Sequence, residues 1–257
     1  MSAMSSSRSA ITVPSRRCTK TWRRAVCSPC SMTTSMCKPD ARYRDAIVIT
    51  DRTLVEGDFL RQIARVLSLA PHALILREKD LCDADYEALA RMVLRLCEDA
   101  EVPCFLHGRI DIARKLGCRQ IHLPLAELKR MESIEKSNRE KREAEKYTPV
   151  AGFSAEEPPP CWQDAFDEIS VSCHSMEDMQ QAVTGGATQI ILGTIFETDC
   201  KPGRKGSGLP FVHDIAAACP VPIYAIGGIT LERLPLVKAA GAAGACMMSA
   251  FMKFKIL

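Results

Sequence analysis

The sequence predicts one eight-stranded α/β barrel of the TIM (β/α)8 type, and three observations lead to this prediction. Segments of strand type and helix type alternate from Ala46 onward, which is the order expected of a parallel sheet covered by helices. Eight strand-type segments occur along this part of the chain. The length of 257 residues also suits one such barrel, which typically takes about 250 residues.

The predicted strands are short apolar runs that end at Gly, Ser or polar residues. They cover 46–50, 72–78, 104–108, 120–124, 168–174, 189–193, 222–227 and 244–249. The segments between them carry apolar residues at helical spacing, which predicts the covering helices. Asp83, Ser175 paired with Asp178, and Thr230 are the expected N-caps of the helices after strands 2, 5 and 7.

Two parts of the chain depart from the regular barrel. Residues 129–146 hold twelve charged side chains of both signs in eighteen, which predicts a solvated helix inserted after strand 4, before a Gly- and Pro-rich link over 149–160. Only seven residues follow Ala250, so the eighth helix is expected to be truncated. Apolar surface near the first and seventh helices would then need cover from the N-terminal tail or a partner subunit, which makes a homo-oligomer one expectation.

Composition excludes several classes of function. The net charge is +3, but residues 1–40 carry seven Lys/Arg against one Asp, so the remainder is slightly acidic and nucleic-acid binding is not indicated. No run of 18 apolar residues occurs, so no membrane span is expected. Nine of the 13 cysteines lie after residue 80, most of them in apolar patterns, where cysteine acts as a small hydrophobe. A reducing, cytoplasmic location is the simpler interpretation.

The N-terminal segment, residues 1–44, is interpreted separately from the barrel at 45–257. Its first 40 residues are rich in Ser, Arg, Thr and Cys and lack an apolar period. An organellar transit peptide has this composition, and Cys27 and Cys30 form a CxxC pair that suggests a redox or metal site. One such pair has too few ligands for a structural zinc site. We favour a disordered tail or a mis-assigned start.

Three loops after predicted strands have the composition of phosphate-binding loops. The first follows strand 6 and contains Lys201, Gly203 and Gly206; the second contains Gly227 and Gly228; the third contains Met248 and Ser249. Small residues allow backbone N–H groups to approach an anion, and basic side chains add positive field. The loops after strands 7 and 8 of an α/β barrel commonly hold phosphate at its C-terminal face. The sequence therefore predicts one phosphate site there.

These motifs give the chain a family resemblance. From about Ala46 to Met252 it resembles the thiamine-phosphate synthase/TenI superfamily of α/β barrels. The resemblance is carried, in order, by VITDR (48–52), LREKD (76–80), GRIDIA (108–113), IHLP (121–124), CHSMED (173–178), FETDCK (196–201), AIGGIT (225–230) and MMSA (247–250). The family implies two activities. One enzyme couples a pyrimidine pyrophosphate to a thiazole phosphate with magnesium, and the TenI-like enzyme is a thiazole tautomerase.

The sequence differs from the synthase pattern where that pattern binds metal. The resemblance places Asn-Asp-Arg after strand 3, with the Asp on the metal, but His107 and Gly108 stand in the first two positions. Glu127 occupies the place of a second metal-binding Asp, so it is the metal ligand expected if the chain is a synthase. Magnesium is commonly bound by one or two carboxylates, and glycine supplies none. Arg77 and Lys79 remain as phosphate-binding candidates.

His174, at the end of strand 5, is the expected catalytic residue. TenI-like enzymes carry a histidine in this motif, and an imidazole can both remove and return a proton near neutral pH. A structural histidine that caps the next helix is the alternative. His107 and His122 also end strands and could face the same mouth. Cys173 is expected to point outward, because neighbouring strand residues face opposite sides.

The sequence thus leads to three hypotheses. The first is a TenI-like thiazole tautomerase that isomerises a carboxythiazole phosphate by general acid–base catalysis, with no cofactor. The second is thiamine-phosphate synthase, which needs Mg²⁺. The third is a non-catalytic regulator that binds thiazole or thiamine phosphate. In each the ligand is a small molecule, held by the three loops together with Arg77, Lys79 and His107.

Overall fold

The computed structural model describes residues 41–145, 161–198, 203 and 205–255. Eight parallel strands follow one another in sequence order, and the last pairs with the first to close the barrel. Their bounds are β1 Ala46–Ile49, β2 Ala73–Leu76, β3 Cys104–His107, β4 Gln120–Pro124, β5 Glu168–Cys173, β6 Gln189–Gly193, β7 Ile223–Ile226 and β8 Gly244–Met247. The predicted fold class is confirmed.

Side chains alternate between the inside of the barrel and the layer beneath the helices, as a pleated strand requires. The inner cluster comprises Ile47, Ile49, Ala73, Ile75, Phe105, Ile191, Tyr224 and Cys246. The residues between them on each strand join the larger core under the helices. Cys173 is fully buried in that outer core, as the alternation predicted. This parity decides which residues at the strand ends face the barrel axis.

The helices lie between the strands in the expected order. They are α1 Phe59–Leu67, α2 Asp83–Asp99, α3 Ile110–Leu116, α4 Leu125–Glu145, α5 Met176–Thr184, α6 Gly208–Ala218, α7 Leu234–Ala239 and α8 Ser249–Met252. Ser175 caps α5 as predicted, because its hydroxyl accepts from the Asp178 amide at 3.0 Å. Two cap predictions were wrong by a few residues. Cys82 is the N-cap of α2, and Arg233 rather than Thr230 precedes α7.

The charged segment after strand 4 continues α4 and is no separate element. The helix runs without interruption from Leu125 to Glu145. Its first turns pack on the barrel through Leu128, which is fully buried, and interspersed charges occupy the later turns. The predicted Gly- and Pro-rich link at 149–160 lies outside the described residues, as do residues 1–40.

The eighth helix is a stub of four residues, as expected, but the gap that it leaves is covered within the chain. Phe251 and Met252 are each 1% exposed. The Tyr43 ring packs on Phe251 with centroids 5.8 Å apart, and Gln62 of α1 donates to the Phe251 carbonyl at 2.7 Å. The apolar surface expected near α1 and α7 is therefore mostly buried, although Leu236 of α7 is half exposed.

Two further expectations concern the whole chain. Cys97, Cys104, Cys118, Cys173 and Cys246 are buried with free thiols, which agrees with their placement in apolar patterns. Among the described residues, no helix is both long and apolar enough to cross a membrane.

Candidate functional site

The predicted site residues meet at one end of the barrel. Because all eight strands run parallel, their C-terminal ends and the loops that follow share one face. Arg77 and Lys79 follow β2, His107 ends β3 and His174 follows β5. The glycine loops follow β6 and β7, and Met248 follows β8. Lys201 lies outside the described residues.

The loops after β6 and β7 pack backbone against backbone. The amides of Ile195 and Phe196 donate to the carbonyls of Ile226 and Gly227 at 2.9 and 3.1 Å. A Cβ atom on Gly228 would lie 2.3 Å from the Glu197 carbonyl oxygen, well inside van der Waals contact. Gly228 also has a φ of +60°, which favours glycine. Glycine is therefore required here for the approach of the two loops.

Two other predicted glycines are placed differently. A Cβ on Gly206 would lie 2.3 Å from the Ile195 carbonyl oxygen, and one on Gly227 would lie 2.3 Å from Thr194 Cγ2, so both belong to the same packed unit. Among the described residues, no atom lies within 4 Å of the Cβ position of Gly203. The third loop starts beside the second, because Ile226 and Cys246 are paired across β7 and β8.

His174 joins β5 to this unit. Its Nδ1 contacts the carbonyl oxygen of Gly193, the last residue of β6. A carbonyl oxygen only accepts, so Nδ1 carries the proton in this contact and the neutral ring keeps its lone pair on Nε2. The His174 amide donates to the Asp178 carboxylate at 2.8 Å, which fixes the backbone of the catalytic candidate. Its side chain is exposed at the mouth, where a bound ring could reach it.

His107 and His122 both face the barrel interior, side by side on β3 and β4. Their rings lie 5.3 Å apart. The His122 ring nitrogens contact the hydroxyls of Ser170 and Ser172, each at 2.9 Å. Burial and the neighbouring His107 push the pKa of His122 well below its usual range. His122 is thus a neutral, satisfied core residue, and His107 is the one that reaches the surface.

A cavity of about 330 Å³ opens beside His107 at the ends of β2, β3 and β4. Lys79, Gly108, Arg109 and Glu127 are among the residues that line it. Arg109 donates to the Leu81 carbonyl at 2.8 Å and contacts the Asp83 carboxylate, so it holds the neighbouring loop. The cavity combines basic side chains with a neutral imidazole, a combination that can bind an anionic group directly.

The carboxylates at this cavity already have partners, and the position expected to bind metal carries no carboxylate. Gly108 has no side chain at the position expected to bind metal. Arg130 holds both oxygens of Glu127, at 2.6 and 2.9 Å. The buried Glu78 accepts from the Thr50 hydroxyl at 2.7 Å and from Arg52. Within the described ranges, no three His, Cys, Asp or Glu side chains form a group that could hold a metal ion.

Sequence reasoning missed several residues that shape the site. Glu78 ties the loop after β1 to the loop after β2. The Tyr86 hydroxyl donates to the Leu76 carbonyl at 2.7 Å and accepts from the His107 amide at 3.1 Å, so it joins β2 to β3. From helical spacing alone, Tyr86 is predicted only as part of the apolar face of α2. A tyrosine at a position predicted to be buried was the available signal, because a buried tyrosine hydroxyl usually has a hydrogen-bond partner.

His107 should make stability depend on pH. Burial, followed by the charges of Arg77 and Lys79, lowers its pKa to about 4, against about 6.5 in the unfolded chain. Between these values the unfolded state binds more protons, so stability is greatest above pH 6.5 and falls as the pH drops toward 4. The free energy of unfolding should decrease between pH 7 and pH 5, and we expect His107→Gln to make this decrease smaller by about 2 kcal/mol, as measured by urea unfolding. The exposed His213→Gln is the control; equal losses in both variants would contradict the assignment.

Comparisons with known proteins identify the family and support the fold. The family described as thiamine monophosphate synthase matches residues 46–142 and 165–251. A thiamine-phosphate synthase of Roseiflexus sp. is 30% identical over 205 residues, covering 79% of this chain and 76% of that protein. One from Coprothermobacter proteolyticus is 28% identical, covering 81% and 87%. The solved thiamine phosphate pyrophosphorylase from Pyrococcus furiosus is similar in fold, with a TM-score of 0.62 at 20% identity over 83% of this chain and 90% of that one.

Proposed function

Because the chain belongs to the thiamine monophosphate synthase family, we propose that it is an enzyme of thiamine biosynthesis that acts on a thiazole phosphate. The reaction we propose is the isomerisation of a carboxythiazole phosphate to its aromatic form. One observation carries this choice: an imidazole stands at the mouth beside the packed glycine loops, while the carboxylates of the neighbouring cavity are absent or already bound.

The phosphate ester would bind at the loops after β6, β7 and β8. Gly206, Gly227 and Gly228 allow the backbone to come close to the anion. Met248 follows β8 beside them, and Ser249 is already the first residue of α8. Lys201 would add a charged donor to the phosphate or the ring carboxylate. Lys79 and His107, which line the cavity beside β3, would hold the opposite end of the substrate, with Arg77 as a further cation on the loop that carries Lys79.

The chemical step would be a proton transfer through His174. With Nδ1 directed at the Gly193 carbonyl, Nε2 is the base that removes a proton from a ring carbon. The resulting imidazolium then returns a proton at a second ring position. The isomer has the same atoms and electrons as the substrate, so the step consumes no oxidant, reductant or second substrate. A positioned imidazole is suited to this because its ordinary pKa lies near neutrality.

Thiamine-phosphate synthase is the second candidate, and the names of the relatives favour it. The similarity to one such relative extends over nearly four fifths of the chain, and the family match includes every strand of the barrel. Against it stand Gly108 and the ion pair of Glu127 with Arg130. A synthase would need Glu127 to leave Arg130, because magnesium prefers carboxylate and phosphate oxygens.

Product identity separates the two reactions. The full chain is incubated with the unaromatised carboxythiazole phosphate, with or without the pyrimidine pyrophosphate and Mg²⁺, and products are identified by mass spectrometry and NMR. We expect the aromatic isomer to form in EDTA, equally well with Glu127→Gln. Coupled thiamine phosphate that requires Mg²⁺ and is lost in Glu127→Gln would establish the synthase instead.

A further inference from the structure

Arg233 connects the two packed loops of the proposed phosphate site through its side chain. It lies just before α7 and is exposed. Its Nη1 donates to the Gly228 carbonyl oxygen at 2.6 Å. The same guanidinium lies over the Phe196 ring, with Cζ 4.9 Å from the centroid. Gly228 belongs to the loop after β7 and Phe196 to the loop after β6, so one side chain contacts both.

Helix formation does not explain these contacts. The Arg233 backbone already closes the turn before α7, because its amide donates to the Thr230 carbonyl at 3.1 Å. The guanidinium instead extends back toward Gly228, five residues earlier. A planar guanidinium can stack on an aromatic ring and donate in its own plane at the same time, which a lysine ammonium cannot do equally well.

The place of the contact is also informative. Gly228 is a residue whose Cβ position lies 2.3 Å from the Glu197 carbonyl oxygen, so the two loops are in close contact there. A donor on the Gly228 carbonyl fixes the orientation of that peptide and thereby the direction of the next backbone N–H group. Backbone N–H groups are the donors expected for an ester phosphate here.

We propose that Arg233 is a positioning residue that holds the loops after β6 and β7 in the arrangement that binds phosphate. The proposal rests on the proposed function for the presence of a phosphate ester. The contacts of Arg233 with Gly228 and Phe196, which we call the clamp, are a property of the free protein. Arg233 acts through Phe196 and Gly228 and makes no contact with the substrate in this role.

Hydrogen exchange of the free protein tests the clamp. In Arg233→Ala we expect amides in the segments 195–197 and 227–229 to exchange about tenfold faster, which corresponds to about 1.4 kcal/mol, while β1 and α2 are unchanged. Arg233→Lys should fall between the two proteins. Arg91→Ala is the matched control, because it also removes one arginine from an exposed pair, with Glu87 of α2. Unchanged exchange in both loops would overturn the proposal.

Ligand affinity tests what the clamp is for. By calorimetry we expect Arg233→Ala to bind the aromatic thiazole phosphate about tenfold more weakly, with the dephosphorylated thiazole unaffected and kcat nearly retained. Weaker phosphate binding without faster loop exchange would mean direct contact and would overturn the positioning role. If the unmodified protein binds no phosphate ester, the proposed function fails and the phosphate role fails with it. Faster loop exchange would then still establish the clamp on its own.

Discussion

His174→Ala is expected to lower kcat for isomerisation of the carboxythiazole phosphate by about 10²–10⁴-fold, the usual contribution of a positioned general acid–base group. Affinity for the aromatic thiazole phosphate should change little, because the loops after β6 and β7 are joined by backbone hydrogen bonds that do not involve the imidazole. The side chain is exposed, so its removal leaves no core cavity. Turnover is followed by the ultraviolet absorbance of the product, and affinity by calorimetry.

The matched control is His213→Ala, since His213 is also exposed but lies on α6, beside Asp214. It should behave like the unmodified protein. Full turnover in His174→Ala would remove the imidazole from the mechanism. A protein that binds the phosphate ester but catalyses neither the isomerisation nor the coupling to the pyrimidine pyrophosphate, with or without His174, would be the non-catalytic regulator that the sequence also allowed.

Gly228→Ala should weaken binding of the thiazole phosphate by about tenfold to a hundredfold. The added methyl would lie 2.3 Å from the Glu197 carbonyl oxygen, so the loops after β6 and β7 must separate. Such a forced shift of packed atoms costs about 1–3 kcal/mol, and each 1.4 kcal/mol is about tenfold in affinity. Calorimetry gives the affinity, and urea unfolding shows whether the variant stays folded.

Gly117→Ala is the control that distinguishes the effect of the steric clash at Gly228 from the effect of backbone strain. Gly117 has a φ of +68°, close to the +60° of Gly228, but no atom lies within 4 Å of its Cβ position. Both variants place alanine in the left-handed region, so both should lose some stability. Only Gly228→Ala should lose phosphate affinity. Equal affinities in the two variants would show that the packing of the glycine loops does not affect ligand binding.

Most of the fold could be predicted from the sequence, because the barrel is built from local signals. Each strand is a short apolar run, and the alternation of inward and outward side chains follows from the pleat. That alternation placed Cys173 under the helices and left His174 for the mouth. The charged helix after strand 4 could also be predicted, because its composition is distinctive. The short eighth helix could be predicted because few residues follow the last strand.

The candidate site was less predictable, because it depends on which polar side chains pair with one another. Glu127, the expected metal ligand, instead forms an ion pair with Arg130. His122 and His107 have similar positions at the ends of strands, yet only the structure shows that serines 48 and 50 residues away satisfy His122. The roles of the substrate-binding residues stay predictions.

The covering of the short eighth helix has a consequence for synthesis of the protein on the ribosome. Contacts that complete this part of the barrel join residues 189 to 193 positions apart, including Gln62 with Phe251, Arg42 with Leu231 and Asp45 with Lys238. The contact of Gln62 with Phe251 cannot form before the last strand and its stub have left the exit tunnel. Between the emergence of β7 and that of β8, the nascent chain therefore holds seven strands with an unsealed edge, a state that exposes apolar surface to aggregation.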